Sequence, residues 1–153
     1  MLARGARAPS FTLSDIDTAA PVSDPWQGGP GPTVLAFFKA TCPVCQMAAP
    51  MVQAMGDSGA AVVAIGEDPA PTLATFRDRW GQAVPTLSES PPYRVSAAYD
   101  LVSVPSLFLV DRRGTVLDVV VGWDRDDWNK ASVAAGGRPV SAPGDGLPVY
   151  RPG

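Results

Sequence analysis

Both cysteines of the chain, Cys42 and Cys45, lie in the segment "FFKATCPVCQMAAP" and are separated by two residues. A thiolate is the form of cysteine that attacks disulfides, so a redox site must stabilise the ionised sulfur. Cysteines at this spacing also occur in structural disulfides and in metal sites. The residues around the pair decide among a structural clip, a metal centre and a reaction centre.

Histidine is absent from the whole chain. A zinc site built on two cysteines needs two more cysteine or histidine ligands, and a copper site of this kind needs a histidine. Proteases in which histidine activates a cysteine or serine are excluded for the same reason. We therefore expect no metal and no cofactor, and the redox and structural interpretations of the pair stay open.

The chain has 153 residues, which suits one domain burying roughly 70% of its unfolded surface, so folding does not require a disulfide. Its net charge of -3 and its sequence pI of about 4.7 argue against nucleic-acid partners, which bind a clustered basic surface. The N-terminus lacks the apolar run of a secretory signal, and no segment is long enough to span a bilayer. We expect a cytoplasmic protein with no membrane segment.

The cysteine pair follows a continuous apolar run, Thr33–Phe38, that predicts a buried strand. Apolar residues then recur at helical spacing from Cys45 onward, so we expect a helix that begins at the pair, is kinked by Pro50 and stops at Gly56. The remaining predicted elements are a strand at Ala60–Ile65, helices at Pro71–Trp80, Tyr93–Tyr99 and Asp124–Ala135, and two strands in "SVPSLFLVD" and "TVLDVVVGW" joined at "RRG". This order predicts an α/β fold with a central mixed β-sheet flanked by helices on both faces.

The last eighteen residues, 136–153, are rich in glycine and proline. Such a composition is typical of a mobile extension, although the apolar Leu147, Val149 and Tyr150 allow the segment to lie across the domain instead. We therefore predict one domain over residues 1–135 and a Gly/Pro-rich tail over residues 136–153.

The junction of a strand and a helix suits a nucleophilic cysteine. Unpaired backbone N–H groups and the positive end of the helix dipole stabilise an anion there, and Lys39 adds a nearby positive charge. We expect Cys42 to attack a substrate disulfide and Cys45, one turn further into the helix, to resolve the mixed disulfide. Pro43 fixes the first helical turn but removes one N–H donor.

The segment "CPVCQMAAP" resembles the active-site helix of the thioredoxin superfamily. "VPSLFLVDRRGTVL" resembles that superfamily's later element, in which a cis proline faces the cysteines, and the matching residue is Pro105. This resemblance implies that the backbone of Val104 pairs with an extended substrate. The opening "RAPSFTLSDID" is closer to the redoxin branch, which is AhpC/TSA-like and includes envelope thiol-disulfide oxidoreductases and peroxiredoxin-related proteins. The resemblance covers about residues 7–135.

The chain departs from these relatives at three positions. Ala36 and Ala48 occupy the two places where such proteins carry the acid that moves the proton of the second cysteine. Water, Glu67 or another acid from a later loop must then accept that proton. Thr41 replaces the usual tryptophan before the first cysteine, which leaves the first sulfur more open.

The resemblance implies a thiol-disulfide oxidoreductase acting on a disulfide-containing protein or a low-molecular-weight thiol, with a separate reductant. The first alternative is a thiol peroxidase with Cys45 as the peroxidatic cysteine. Cys42 and Phe38 would then occupy the positions where peroxiredoxins carry threonine and proline, and Arg77, Arg79 or Arg112 would supply the arginine. The second alternative is a redox-sensing module without catalytic activity.

Overall fold

A computed structural model describes residues 1–153. Its main sheet has seven strands: β1 (Thr12–Asp15), β2 (Pro21–Ser23), β3 (Thr33–Phe38), β4 (Val62–Gly66), β5 (Thr86–Ser88), β6 (Ser106–Val110) and β7 (Val116–Val121). The helices are α1 (Pro43–Asp57), α2 (Ala70–Trp80), α3 (Arg94–Ala98) and α4 (Arg125–Ala134). Two short strands, β8 (Trp123–Asp124) and β9 (Tyr150–Arg151), pair outside the main sheet. None of the helices combines the length and apolar character that crossing a bilayer requires.

The sheet is mixed and has the order β2-β1-β5-β4-β3-β6-β7. At its centre β3 pairs in parallel with β4 and antiparallel with β6, and all six β3 residues are buried. The predicted strand at Thr33–Phe38 is confirmed with the same bounds. Because β3 leads directly into the loop before α1, a fully buried strand positions the cysteine pair.

Two hydrophobic clusters cover the two faces of the sheet. The first joins Val34, Ala36 and Phe38 of β3 to side chains of α1, α2 and α4. The second contains Leu35 and Phe37 of the same strand, together with residues of α3 and of the N-terminal segment. Alternate β3 side chains therefore point to opposite faces, as strand geometry requires. The prediction of helices on both faces of a mixed sheet is confirmed.

The predicted helices and the predicted hairpin are all present, with small shifts at their ends. Helix α1 ends at Asp57, one residue beyond the expected stop, and Pro50 lies inside it on the exposed side. The β6–β7 hairpin turns at residues 112–114, where the Gly114 N–H donates to the carbonyl of Asp111. The Asp124 carboxylate caps α4 by accepting the Asp127 N–H at 3.0 Å.

The tail lies across the domain. The Arg125 side chain donates to the Leu147 carbonyl at 2.8 Å and to the Ser141 hydroxyl at 3.0 Å. The Asn129 side chain accepts the N–H groups of Val140 and Ser141. Of the two arrangements that the sequence allows, the structure therefore has the packed one.

Candidate active site

The sulfur of Cys42 caps the start of helix α1. Cys42 has extended backbone angles, φ -81° and ψ 116°, and its Sγ accepts the Cys45 N–H at 3.2 Å. A hydrogen bond from the Cys45 thiol lowers the pKa of Cys42 to about 6, and the N–H groups of Cys45 and Val44 act in the same direction against the effect of burial. A large fraction of Cys42 is therefore a thiolate at neutral pH, which is the form that attacks disulfides.

Cys45 has the opposite environment. It is 2% exposed, and burial is the main reason that its pKa is raised, followed by its hydrogen bond to Cys42. The negative charges of Cys42 and Glu67 also raise this pKa, whereas the Lys39 N–H lowers it. The pair thus consists of one ionised, partly accessible sulfur and one protonated, buried sulfur, as a nucleophile and a resolving thiol require.

Two side chains hold the loop that carries Cys42. The Asp68 carboxylate accepts the Ala40 N–H at 2.8 Å, and the Gln46 side-chain amide donates to the Ala40 carbonyl at 3.0 Å. Ala40 lies between β3 and α1, so its N–H and carbonyl take no part in a strand or a helix. Side chains satisfy both groups instead. These two hydrogen bonds fix the chain two residues before Cys42.

The loop before β6 faces the cysteine pair. The Val104–Pro105 peptide bond is cis, and the Val104 carbonyl oxygen lies 3.4 Å from Cys42 Sγ. Pro105 is buried and Val104 is half-buried, whereas Val102 is 69% exposed. The backbone of the loop before Pro105 thus lies next to the Cys42 sulfur.

Of the residues singled out in the sequence, Cys42, Cys45 and Val104 come together, and Pro105 directly follows Val104. Thr41 and Pro43 flank Cys42 and are both exposed. The expectation for Lys39 is revised: its backbone N–H acts on Cys45, while its charge lowers the pKa of Glu67. Backbone N–H groups and the Cys45 thiol, and not the lysine charge, are what stabilise the Cys42 thiolate.

Glu67 is the carboxylate whose charge raises the pKa of the buried Cys45 thiol. It follows β4, and its N–H donates to the carbonyl of Phe38, the last residue of β3. Burial and the charge of Glu89 raise its pKa, so it is a better proton acceptor than an ordinary glutamate. No group of three or more histidine, cysteine, aspartate or glutamate side chains is placed to hold a metal ion.

Gln46 and Asp68 hold the loop before Cys42, and no sequence motif identifies either residue. Gln46 lies one turn after Cys42 on α1, so helical spacing alone places it near the preceding loop. Asp68 follows a strand, where polar residues are common in any α/β fold.

Comparison with protein families gives one match. The model of the AhpC/TSA family aligns with residues 4–119, more than half of the chain. The chain belongs to the AhpC/TSA family. No curated protein sequence matches it. The AhpC/TSA match includes both cysteines and the Val104–Pro105 loop and stops within β7.

Solved structures show that this AhpC/TSA protein has a thioredoxin-like fold. The thioredoxin domain of a thiol-disulfide oxidoreductase from Bacteroides vulgatus has a TM-score of 0.73 at 21% identity, covering 89% of this chain and 100% of its own. Peroxidoxin BcpB from Mycobacterium tuberculosis has a TM-score of 0.70 at 24% identity, covering 88% and 97%. A secreted disulfide oxidoreductase of Mycobacterium tuberculosis, homologous to E. coli DsbE, has a TM-score of 0.65 at 22% identity, covering 81% and 95%.

Proposed function

We propose that this protein is a thiol-disulfide oxidoreductase in which Cys42 is the nucleophile and Cys45 the resolving thiol. The observation that carries the proposal is the asymmetry of the pair. Cys42 has a pKa lowered to about 6 at the start of α1, and Cys45, hydrogen-bonded to it, is buried with a raised pKa. Disulfide exchange uses such an asymmetric pair, because one sulfur must attack first and the other must wait.

The reaction proceeds through a mixed disulfide. The Cys42 thiolate attacks one sulfur of the substrate disulfide, the substrate S–S bond breaks, and the other substrate sulfur leaves as a thiolate. Cys45 then loses its proton and attacks Cys42 Sγ, which releases the second substrate sulfur. The substrate gains two electrons and the protein keeps a Cys42–Cys45 disulfide. A dithiol reductant restores the pair, and the reverse sequence oxidises a substrate dithiol.

Glu67 accepts the proton of Cys45 in the second step. Its charge acts on the Cys45 sulfur, and its own pKa is raised by burial and by Glu89, which makes its carboxylate a stronger base. Ala36 and Ala48 are both buried beside the pair and carry no titratable group. Of the proton acceptors considered from the sequence, Glu67 therefore has the most support.

The loop at Val104 and Pro105 binds the substrate. An extended peptide that pairs with the Val104 backbone brings its disulfide to Cys42, because the Val104 carbonyl is 3.4 Å from Cys42 Sγ. Thr41 and Pro43 flank Cys42 in the chain, and their exposed side chains are available to a bound substrate. A small polar residue at position 41 leaves room for a folded protein substrate as well as for a small thiol.

Peroxidase activity has less support. That mechanism makes Cys45 the peroxidatic residue, yet Cys45 is 2% exposed and its pKa is raised. A peroxidatic cysteine must be ionised and reached by peroxide. Arg77 pairs with Asp17 and Asp78, and Arg79 lies over the Trp80 ring. No hydrogen bond or ion pair joins either arginine to the cysteine pair.

The substrates that fit this site are disulfide-containing proteins and low-molecular-weight disulfides. We treat residues 1–135 as the catalytic domain and residues 136–153 as an appended segment. A cytoplasmic location remains our proposal from the sequence, and one structural neighbour is described as secreted. Fractionation of cells expressing the natural gene with its own flanking sequence decides between these locations.

Reduction of insulin disulfides by dithiothreitol, followed by turbidity, tests the proposed activity. We expect the reduced protein to accelerate precipitation in a concentration-dependent way, and Cys42→Ser to abolish the acceleration. Asp126→Asn is a matched control, since Asp126 is exposed on α4. An unaltered rate with Cys42→Ser, or no acceleration by the wild type, contradicts the proposal.

A further inference from the structure

The end of the tail lies on the same backbone edge that faces the reactive cysteine. We use "segment 148–153" for Pro148 to Gly153. A Cβ built on Gly153 would lie 2.9 Å from the carbonyl carbon of Val104 and 3.1 Å from the Ser103 hydroxyl oxygen, and would contact the Val104 carbonyl oxygen still more closely. Only a residue without a side chain fits against this loop. Gly153 and Cys42 Sγ therefore share one neighbour, the Val104 carbonyl.

Specific contacts direct segment 148–153 to this position. The Trp123 indole N–H donates to the Pro148 carbonyl at 2.7 Å, and the Arg125 N–H donates to the Val149 carbonyl at 2.9 Å. Strand β9 then pairs antiparallel with β8, Trp123 opposite Arg151 and Asp124 opposite Tyr150. An extended chain is thus delivered to the loop before Pro105 in the conformation expected of a bound substrate.

Glycine at position 122 completes the fit. Gly122 has φ +76°, and a Cβ there would lie 2.8 Å from the Arg151 carbonyl oxygen and 2.9 Å from the Gly153 nitrogen. The Gly122 N–H donates to the carbonyl of Pro105. The backbone beside the cis proline and the backbone of segment 148–153 are therefore in direct contact.

Strand β9, which precedes the contact at Val104, is weakly held. Tyr150 is 57% exposed and Val149 is 61% exposed, so little apolar surface is buried by β9. A two-stranded ladder of this length is marginally stable without a hydrophobic face. The contact at Val104 can therefore open without unfolding the domain, while the hydrogen bonds of Arg125 to Ser141 and Leu147 keep the rest of the tail in place.

We propose that segment 148–153 is an intramolecular competitor that covers the substrate-binding edge at Val104 and must move aside before an extended disulfide substrate binds. This inference rests on the function proposed above, because it assumes that substrates pair with this edge. It identifies the preferred substrate as an extended polypeptide disulfide. A small reagent that reaches Cys42 without pairing to Val104 reacts independently of the segment.

Two variants test the proposal against a matched control. Gly153→Val introduces a side chain that clashes with the Val104 carbonyl, and a chain ending at Val149 lacks β9 altogether. Gly28→Val is the control, because a Cβ at Gly28 meets no atom within 4 Å. The readouts are the KM for an extended peptide containing a disulfide and the rate at which iodoacetamide alkylates Cys42. Circular dichroism confirms that each variant is folded.

We expect the KM of the peptide disulfide to fall about 3- to 10-fold in both variants, since removing a competing closed state raises the fraction of protein able to bind. The alkylation rate should stay within about twofold of wild type, and Gly28→Val should change neither quantity. A synthetic peptide Pro-Val-Tyr-Arg-Pro-Gly should inhibit the shortened chain more strongly than the full chain.

An unchanged or increased KM in the shortened chain overturns the inference, and so does an equal gain with Gly28→Val. Because these results concern KM in proteins that still reduce the peptide, they leave the proposed activity intact. If no protein of the set, wild type included, reduces the peptide or insulin, the proposed function itself is wrong and the inference fails with it.

Discussion

Cys42 Sγ lies 3.4 Å from the carbonyl oxygen of Val104, a residue sixty-two positions further along the chain. The contact joins the start of α1, which follows β3, to the loop that precedes β6. The two lie close together because β3 and β6 pair in the sheet. A sulfur poised beside a backbone edge can exchange with a disulfide held on that edge. The predictions below concern the ionisation of this sulfur, its redox partner and the residues that support them.

The reactivity of Cys42 should titrate with a midpoint near pH 6. Its pKa is lowered to about 6 by hydrogen bonds from the Cys45 thiol and from backbone N–H groups. Alkylation by iodoacetamide should be half-maximal there and should fall about tenfold per pH unit below it, because only the thiolate reacts. Mass spectrometry should locate the label on Cys42. A midpoint near 8.5, the usual thiol range, would contradict this environment.

The reduction potential of the Cys42–Cys45 couple should lie between those of thioredoxin and of strong oxidants. A nucleophile pKa of about 6 stabilises the reduced protein more than the value of about 7 in thioredoxin and less than about 3.5 in DsbA. Equilibration with glutathione should therefore give a potential between about -270 and -120 mV. A value below that of thioredoxin would show that the thiolate is not stabilised in the folded protein.

The stability of the reduced protein should depend on this thiolate. Since the folded pKa of Cys42 is below the ordinary thiol value, the stabilisation is complete above that ordinary value and is lost as the pH falls through about 6. The difference in urea unfolding free energy between the reduced wild type and Cys42→Ser should therefore grow in favour of the wild type from pH 6 to pH 9. A constant difference across this range would argue against the lowered pKa.

Replacing Glu67 should slow the second chemical step and leave the first intact. We expect Glu67→Gln to reduce the rate of mixed-disulfide resolution by about 100-fold at pH 7, at the low end of the range for a lost general base. Stopped-flow reduction of a disulfide substrate measures this rate, and alkylation of Cys42 serves as the internal reference. The same loss in both readouts would mean that Glu67 supports the structure of the site and not proton transfer.

Glu89 should be important for stability. It is 2% exposed, and its carboxylate accepts the N–H groups of Val95 and Ser96 and the Ser96 hydroxyl at 2.6 to 2.9 Å. Glu89→Ala leaves these buried donors without a partner and should cost about 3 kcal/mol or more of unfolding free energy. Glu89→Gln keeps an acceptor and should cost less. Urea unfolding measures both, and equal losses would contradict this role.

Local patterns were sufficient for the strongest elements of the fold. The apolar run Thr33–Phe38 predicts β3 with its observed bounds, and the spacing of the cysteines places them at the start of α1. Strands β1, β2 and β5 have only three or four residues each, too few for a periodic signal. Their conformation depends on pairing with distant neighbours, so the sequence does not reveal them.

The candidate site likewise combines features that a local pattern predicts with features that depend on distant segments. The cysteine pair and the Val104–Pro105 loop are recognisable in the sequence, because each is a compact motif. The bond between Asp68 and Ala40 and the contact between Gly153 and Val104 join residues far apart in the chain. Only the folded arrangement of β3, β4 and β6 brings such residues together. The tail's position likewise depends on Arg125, whose hydrogen bonds no local pattern reports.

Trapping the reaction intermediate tests most directly which sulfur starts the chemistry. Cys45→Ser and Cys42→Ser are each mixed with an excess of a peptide disulfide at pH 7, and the products are weighed by intact-protein mass spectrometry. We predict that Cys45→Ser accumulates a stable mixed disulfide on Cys42 and that Cys42→Ser forms none, because its remaining thiol is buried with a raised pKa. Rapid formation of one sulfenic acid at Cys45 when Cys42→Ser meets peroxide, with no trapped disulfide in Cys45→Ser, would contradict the account and make the protein a peroxidase.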